Sequence, residues 1–336
     1  MPNSRLLELT AAGLYCRIGD FYIDPWRPVG KAVITHAHAD HAREGNQSYL
    51  VSDQGAPLLR LRLGPGAEIQ SVPYGESLNI NGLHLSLHPA GHILGSAQIR
   101  IEHRNEVWVV SGDYKIEPDP TCTPLEPVRC HTFVTESTFG LPIFRWRPQA
   151  AILAEITHWW RQNRARGQTS IMYAYALGKA QRILAGLEPS LGPILTHGAV
   201  ETVNQVYRAA GVFLPPTQSV ADLKSKKDCA GALVLAPPSA NGTPWSRKFM
   251  HPVQAFASGW MQIRGNRRRR ALDRGFVLSD HTDWSGLLGT IRETGAANIW
   301  VTHGYADELA RWLQEKGLNA RTISTRFRGE SDDAGQ

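Results

Sequence analysis

The sequence has few cysteines and no long apolar run. None of its four cysteines, Cys16, Cys122, Cys130 and Cys229, belongs to a C-x-x-C pair, so neither a disulfide framework nor a thiolate zinc site is predicted. No apolar stretch reaches the roughly 18 residues that a membrane helix requires, and the beginning of the chain lacks the apolar core of a signal peptide. We therefore expect a cytoplasmic protein that does not interact with membranes.

The sequence has fewer acidic than basic residues. The 336 residues carry a formal charge of +6, with 36 Lys and Arg against 30 Asp and Glu, which weakly favours a polyanionic partner. One segment, 264–274, holds six arginines and a single acidic residue, Asp273. We predict that this segment binds nucleic-acid phosphates, although a solvated loop is an open alternative. The arginines are Arg264, Arg267, Arg268, Arg269, Arg270 and Arg274.

Short apolar runs in this chain repeatedly stop at Asp, His or Glu. The runs end in this way at Asp24, His92, Asp113, Glu136, His281 and His303, and another leads into the histidine-rich stretch 36–41. Such runs are typical of β-strands, and the three residues Arg104, Asn105 and Glu106 fit a turn between two of them. Polar groups that gather at one edge of a sheet are a common way of building a site.

The middle of the chain has a different pattern of apolar residues. A helical pattern over 148–167, with Pro148 suited to its first turn and Gly167 to its end, precedes an alternation of short apolar runs with helical stretches. This alternation predicts a parallel, doubly wound α/β domain within the chain. The basic segment would then return the chain to the first domain.

The stretch "THAHADH" concentrates metal-binding residue types. His36 and His38 share one face if the segment is extended, and Asp40 and His41 would then lie at the turn into a following helix. Imidazole and carboxylate groups suit zinc, iron or manganese. A lone histidine is usually structural, but H-x-H-x-D-H spacing is specific, and it predicts a site for two adjacent metal ions.

Six motifs in order resemble those of a known superfamily. "THAHADH", "PAGHILGS" and "SGDY" resemble the metallo-β-lactamase superfamily, and "TESTFG", "LSDHTD" and "VTHG" resemble its β-CASP branch, which processes nucleic acids. Within that branch, "YALGKAQRIL", the compact length and the arginine-rich segment are most similar to bacterial ligase-associated DNA exonucleases.

The resemblance implies a fold and a domain organisation. The fold class would be α/β, with a four-layer αββα metallo-β-lactamase sandwich formed by residues 1–140 and 275–336. An inserted β-CASP α/β domain would occupy residues 141–274. Nothing in composition or periodicity alone specifies this arrangement.

The resemblance also implies roles for individual residues. Two divalent transition-metal ions, zinc or manganese, would activate a water molecule, and Asp24 would orient the ligand loop from outside. His281 and Glu136 would assist the leaving group, and Asp40 and Asp113 would serve in catalysis as metal ligands. His36, His38 and His92 would hold one ion, Asp40, His41 and His303 the other, with Asp113 between them.

We therefore expect a metal-dependent DNA exonuclease in DNA repair, acting on single-stranded DNA or strand ends. The resemblance to ligase-associated enzymes implies DNA ligase and helicase as functional partners. An RNA-processing nuclease is the main alternative, because the same motifs serve RNA substrates. An inactive nucleic-acid-binding scaffold and a small-molecule hydrolase are further alternatives, which the full ligand set and the inserted domain disfavour.

Overall fold

The computed structural model describes residues 5–249, 252–263 and 272–327. The described residues fall into two compact units, one formed by the chain up to Arg145 and again from His281, the other by Trp146–Asp280. Both units combine helices with β-sheets, so the predicted α/β class is confirmed. No helix among the described residues is long and apolar enough to cross a membrane.

Six α-helices lie in the described residues. They are α1 (Ala56–Leu63), α2 (Gln149–Ala165), α3 (Lys179–Ala185), α4 (Gly198–Ala209), α5 (Trp284–Thr294) and α6 (Ala306–Glu315). Short 3₁₀ turns lie at Pro189–Leu191, Val220–Asp222, Lys226–Cys229, Pro238–Ala240, Ser246–Lys248 and Gly259–Gln262. The helix predicted over 148–167 is present as α2, with Pro148 at its N-cap and Gly167 just beyond its end in the left-handed region at φ 69°.

The first unit contains two sheets. The strands of the first sheet run in sequence order and are β1 (Glu8–Leu9), β2 (Leu14–Cys16), β3 (Phe21–Ile23), β4 (Lys31–Val33), β5 (Ser48–Ser52) and β6 (Ile69–Val72). The second sheet has the order β19-β18-β11-β10-β9-β8-β7. Its strands are β7 (Leu78–Ile80), β8 (Leu83–Pro89), β9 (Ala97–His103), β10 (Glu106–Val110), β11 (Thr132–Ser137), β18 (Asn298–Gly304) and β19 (Asn319–Thr322).

Alternating side chains of the second sheet serve two hydrophobic cores. Trp108 and Val110 of β10 face a core shared with the first sheet, which includes Leu14 and Ile23. Val109, between them, faces a core shared with α5 and α6. This alternation follows from the two-residue period of a strand. A third cluster packs Leu59 of α1 against Ala32 and Tyr49 of the first sheet.

The second unit is built on one parallel sheet. The strands have the order β14-β13-β15-β12-β16-β17, and every pair is parallel, as the alternation of strands and helices predicted. They are β12 (Ser170–Tyr173), β13 (Ile194–Thr196), β14 (Gln218–Ser219), β15 (Leu233–Ala236), β16 (Val253–Ala257) and β17 (Arg274–Phe276). The central strands β12 and β15 are buried throughout.

Two predictions of local structure, a turn between two strands and a helix after His41, have different outcomes. Arg104 and Asn105 form the predicted turn between β9 and β10, with φ values of 50° and 65°, whereas Glu106 pairs with His103 and is already part of β10. The helix predicted directly after His41 is wrong. The amides of His41 and Ala42 both donate to the His38 carbonyl, which closes a turn, and the chain then continues to β5.

Candidate metal centre

The loop after β4 carries the H-x-H-x-D-H residues, and its backbone is fixed from two sides. The turn at His38 bends the chain so that His36 and His41 both become buried. From α1, the Arg62 Nε donates a hydrogen bond of 2.7 Å to the Ala37 carbonyl, between the first two histidines. These contacts hold the loop in one conformation, which a binding site needs before its ligand arrives.

A buried chain of hydrogen bonds fixes the ring orientation of two histidines. Asp24 accepts from the Thr35 amide (2.8 Å) and the Thr35 hydroxyl (2.5 Å), and its Oδ2 also lies 2.7 Å from His41 Nδ1. A carboxylate only accepts, so His41 carries its proton on Nδ1. The Thr35 hydroxyl gives its one proton to Asp24 and therefore accepts from His36 Nδ1, 3.0 Å away. In the neutral form of each ring, Nε2 is therefore the nitrogen without a proton, and the neutral form is the one that binds a metal.

Three imidazole rings surround a common point. The ring centroids of His36, His38 and His92 lie 4.7 to 4.9 Å apart, and each pair is nearly perpendicular. His92 stands in the loop after β8, where the Ser96 hydroxyl accepts a hydrogen bond from its amide at 3.1 Å. Ring nitrogens of His38 and His92 come within 3.1 Å of each other. Three nitrogens at this spacing suit a metal such as zinc.

Asp113 lies at the centre of the predicted ligand set. Its Oδ2 is 3.5 Å from Nε2 of both His36 and His41 and 3.9 Å from Nε2 of His92. Its Oδ1 is 3.5 Å from Nδ1 of His303, at the end of β18. Each carboxylate oxygen therefore faces histidines, which is the geometry expected of a group shared by two ions.

Glycine is required just before Asp113. Gly112 has a φ of 57°, and a Cβ atom at this position would lie 2.6 Å from the Thr35 Cβ. The absence of a side chain lets the Asp113 loop approach the H-x-H-x-D-H loop.

Several buried polar atoms in this cluster point at one another without a hydrogen bond. Within the part of the chain that the structure describes, these atoms are His36 Nε2, His41 Nε2, Asp113 Oδ1 and both ring nitrogens of His303. Buried polar atoms are nearly always satisfied, so a group of them facing one point indicates a ligand. Imidazole and carboxylate donors of this kind fit divalent transition metals.

The charges of the cluster shift its pKa values in opposite directions. Burial, together with the neighbouring His41, lowers the pKa of His36 well below its usual value. Burial also acts to lower the pKa of His41, but the carboxylates of Asp113 and Asp40 outweigh it and raise that pKa. For Asp113, burial favours the neutral form, yet His41 and His281 hold its pKa well below the usual value. Asp113 is therefore an anion at neutral pH, and it draws cations to the site.

His281 and Glu136 form a second buried pair beside the cluster. His281 Nδ1 lies 3.0 and 2.8 Å from the two Glu136 carboxylate oxygens, so Nδ1 carries a proton. Glu136 also accepts from the Tyr114 amide at 2.8 Å and from the Thr138 hydroxyl. The His281 ring centroid lies 4.8 Å from that of His92, so the pair adjoins the candidate ligand set.

The remaining predicted ligands are placed less uniformly. His303 has a φ of 58°, and His41, Asp113 and His303 bring ligand atoms within 4.8 Å of one another. Asp40 is outside that group, although its Oδ2 lies 3.7 Å from His41 Nε2. Two other groups of side chains also bring their ligand atoms within 4.8 Å of one another. One comprises His36, His38, His92 and Asp113, and the other comprises Asp113, Glu136 and His281.

Sequence reasoning missed two residues of this site. Thr35 links Asp24 to His36, and its place directly before the first histidine was a usable signal. Phe327 stacks on the His41 ring with a centroid distance of 4.3 Å and an interplanar angle of 11°. Phe327 follows the last strand, and no motif in the sequence marks it.

Most of the predicted nucleic-acid-binding arginines, namely Arg264, Arg267, Arg268, Arg269 and Arg270, lie outside the described residues. Arg274 is described as the first residue of β17. Its guanidinium lies 3.8 Å from Glu155 and packs over the Phe276 ring at 4.8 Å. These contacts position Arg274 within the second unit.

Comparison with known proteins identifies relatives that act on nucleic acids. A probable DNA ligase from Opitutus terrae is 30% identical over 313 residues, which are 93% of this chain and 30% of the relative. The endoribonuclease ysh1 of Aspergillus fumigatus is 25% identical over 198 residues, covering 56% of this chain and 22% of the relative. The endoribonuclease YSH1 of Saccharomyces cerevisiae is 29% identical over 123 residues, covering 36% and 16%.

The chain thus spans less than a third of the length of these relatives. No protein-family model matches it. A crystal structure of a protein of unknown function from Enterococcus faecalis has a similar fold, with a TM-score of 0.62 at 11% identity, covering 89% of this chain and 80% of that one.

Proposed function

The chain is a metallo-β-lactamase superfamily relative of the β-CASP type, and from that premise we propose that it is a metal-dependent DNA nuclease. The reaction would be hydrolysis of phosphodiester bonds, with removal of nucleotides from strand ends during DNA repair. One observation carries the proposal: the Asp113 carboxylate lies 3.5 to 3.9 Å from ring nitrogens of four histidines, with a buried His281–Glu136 pair alongside.

We also propose the fold and the domain boundaries that the family resemblance implies. The two sheets of the first unit, with α1 outside one and α5 and α6 outside the other, support a four-layer αββα sandwich. The parallel sheet of the second unit supports an inserted β-CASP domain, for which we propose residues 141–274.

The ligand assignment follows the two groups of side chains that meet at Asp113. We propose His36, His38 and His92 for one divalent ion, zinc or manganese, and Asp40, His41 and His303 for another, with Asp113 shared and Asp24 orienting His41. When bound, such ions lower the pKa of water and stabilise negative charge on a phosphate.

The chain's own residues would orient the ligand rings and supply a proton to the departing oxygen. Asp24 and Thr35 hold the His41 and His36 rings with their Nε2 atoms toward Asp113. Glu136 keeps the His281 proton on Nδ1 and stabilises the imidazolium, so that His281 Nε2–H can protonate the departing oxygen. Burial of this pair excludes competing water.

DNA is proposed as the substrate because the relative that matches 93% of the chain is a probable DNA ligase. A ligase needs prepared strand ends, so a nuclease that trims ends would act beside it, and we propose a ligase and a helicase as functional partners. The endoribonuclease relatives support RNA as the alternative substrate. The proposed guide for the strand is the arginine-rich segment 264–274.

A parallel assay tests the proposal. The metal-loaded protein is incubated with DNA and RNA strands of identical sequence, each labelled at one end, with the Asp113→Ala variant as the control. We expect stepwise shortening of DNA, slower cleavage of RNA, and no cleavage by the variant. Faster cleavage of RNA would establish the alternative, and cleavage of neither strand would refute a nuclease.

A further inference from the structure

A cleft of about 380 Å³ lies in the first unit, away from the metal centre. Four of its lining residues, Glu106, Thr132, Asn298 and Asn319, are the first residues of the adjacent strands β10, β11, β18 and β19. These four strands are parallel to one another, so the cleft lies at their amino ends. Its volume is typical of a small-molecule site.

The metal centre lies at the opposite ends of the same strands. Asp113 follows the end of β10, and His303 is the sixth residue of β18, whose first residue, Asn298, lines the cleft. At roughly 3.3 Å per residue, five steps along β18 separate the two sites by about 16 Å. The cleft is therefore a separate site.

Two guanidinium groups line this cleft together with a single carboxylate. Arg5 and Arg321 both line it. Among the described residues, neither is paired with a carboxylate within 4 Å, and Arg321 Nε is buried without a hydrogen-bond partner. The one acidic side chain of the lining, Glu106, accepts a hydrogen bond of 2.7 Å from the Trp108 indole. Burial, and then the charge of Arg5, lowers the pKa of Arg321.

The floor of the cleft holds the orientation of Arg321. Trp300 and Arg321 are cross-strand neighbours, and the guanidinium lies over the Trp300 ring at 3.7 Å. Trp108 packs edge-on against Trp300 and supports it from behind. Stacking uses the face of the guanidinium and leaves its N–H edges available in one plane, which is the geometry for bidentate binding of an oxyanion.

The rim adds neutral donors. Asn298 and Asn319 stand side by side, with the Asn319 Nδ2 donating to the Asn298 Oδ1 at 2.6 Å. The Asn298 Nδ2 donates to the His131 carbonyl at 3.5 Å, which leaves the second of its two N–H groups for a ligand. Two unpaired guanidiniums together with amide donors match an anion with several oxygens around one centre.

We propose that this cleft is a second anion site that binds a phosphate monoester. Inorganic phosphate, a free mononucleotide and the 5′-phosphate of a DNA strand share that chemistry. The inference goes beyond the proposed nuclease activity and does not depend on it, because the cleft shares no residue with the metal centre.

Calorimetric titration of the metal-loaded protein tests the site with three probes: inorganic phosphate, dAMP, and a single strand with or without a 5′-phosphate. Two variants alter the cleft. Arg5→Glu gives Arg321 an internal counterion, and Asn319→Asp places a carboxylate on the rim. Arg311→Glu, on the exposed surface of α6, is the matched control for a charge reversal.

We expect both cleft variants to weaken phosphate-monoester binding by about 10- to 100-fold, the range for a lost charge-assisted hydrogen bond, while Arg311→Glu binds as the unaltered protein does. Loss of dAMP and phosphate binding would identify a free ligand as the source. Loss confined to the 5′-phosphorylated strand would identify the strand end. The proposal is overturned if Arg5→Glu and Asn319→Asp, both folded, bind all probes as Arg311→Glu does.

Discussion

At the scale of the residue, the site depends on protons held in particular places. Asp24 and Glu136 are both buried carboxylates, and each accepts from an Nδ1–H, of His41 and His281 respectively. In the proposed mechanism the same interaction would have two uses, because it would direct Nε2 of His41 to a metal and prepare Nε2 of His281 for proton transfer. His41 Nε2 lies 3.5 Å from the Asp113 carboxylate, at the centre of the candidate ligand set.

Replacement of His281 tests this division of roles. We expect His281→Ala to slow phosphodiester cleavage by about 10²- to 10⁴-fold, the range for lost general acid catalysis, while the protein retains its full metal content. Turnover and elemental analysis are measured on the same preparation. A fall in metal content would make His281 a ligand, and the proton-donor role would then be wrong.

Phe327 supports the other side of the cluster. Its ring covers the face of His41, and the Thr325 and Thr302 hydroxyls, 2.6 Å apart, join its segment to β18. We expect Phe327→Ala to weaken metal binding by about 10-fold, because the His41 ring gains freedom that binding must then remove. Phe327→Leu is the control for apolar volume. Metal dissociation constants equal to those of the unaltered protein would show that stacking has no role.

The sequence predicted much of this residue-scale site. H-x-H-x-D-H spacing brings ligands together locally, and strand ends carry Asp113, Glu136 and His303 to the same edge. The role of Phe327 could not be predicted, since it depends on a contact between residues far apart in the chain. Thr35 could be noticed beside His36, but its hydrogen bond to Asp24 exists only once β3 and β4 have paired.

At the scale of the element, local interactions decided where the predictions succeeded. The period-two pattern and the turn at Arg104–Asn105 fixed β9 and β10, because these signals act between neighbours in sequence. The helix predicted after His41 failed because the side chain of His41 bonds to Asp24 and its amide closes a turn. Tertiary contacts thus outweighed helix propensity in this stretch.

The start of α4 carries a polar network that makes the second unit sensitive to pH. Glu201 accepts hydrogen bonds from Thr217 (2.6 Å), Thr196 (2.7 Å) and Arg208 (2.8 Å). Partial burial raises the pKa of the Glu201 carboxyl, but these hydrogen bonds outweigh it and hold the pKa below its usual value. The ionised carboxyl therefore stabilises the folded state.

We expect Glu201→Gln to lower the free energy of unfolding by about 1–2 kcal/mol at pH 7. A lowered folded-state pKa contributes stability that is present above the unfolded pKa and is lost as the pH falls through the folded one. The difference between the two proteins should therefore shrink as the pH falls below the unfolded glutamate pKa of about 4.3. Urea unfolding at several pH values measures it, and a constant difference would contradict the role of the charge.

The arginine-rich segment is the element that would guide DNA. Each phosphate neutralised on a single strand contributes about 0.7 to the slope of log K against log salt, so replacing Arg267, Arg268, Arg269 and Arg270 with alanine should flatten that slope by up to about 3. Binding should weaken equally for all sequences. An unchanged slope, with the variant folded and metal-loaded, would leave the segment as solvated surface charge.

At the scale of the whole molecule, the first unit is assembled from two separated stretches of chain, and the candidate metal ligands come from both. His36 and His38 follow β4, Asp113 follows β10, and His303 arrives only after the second unit has been completed. A bound ion would therefore link segments that are distant in sequence. It would stabilise the folded unit relative to the unfolded chain, whose ligands are dispersed.

Chelation should thus remove activity and stability together. An ion present at 100 times its dissociation constant stabilises the folded state by about 2.7 kcal/mol, which corresponds to a fall in Tm of about 5–10 °C when it is removed from a unit of this size. Manganese or zinc should restore cleavage and Tm, whereas magnesium, which prefers oxygen ligands, should restore less. The Asp113→Ala variant provides the control, because its Tm should respond little to the chelator. The mechanism would be contradicted if cleavage continued in protein that elemental analysis shows to be free of metal. If chelation left the Tm of the unaltered protein unchanged, the ligands would be held in place by the fold alone.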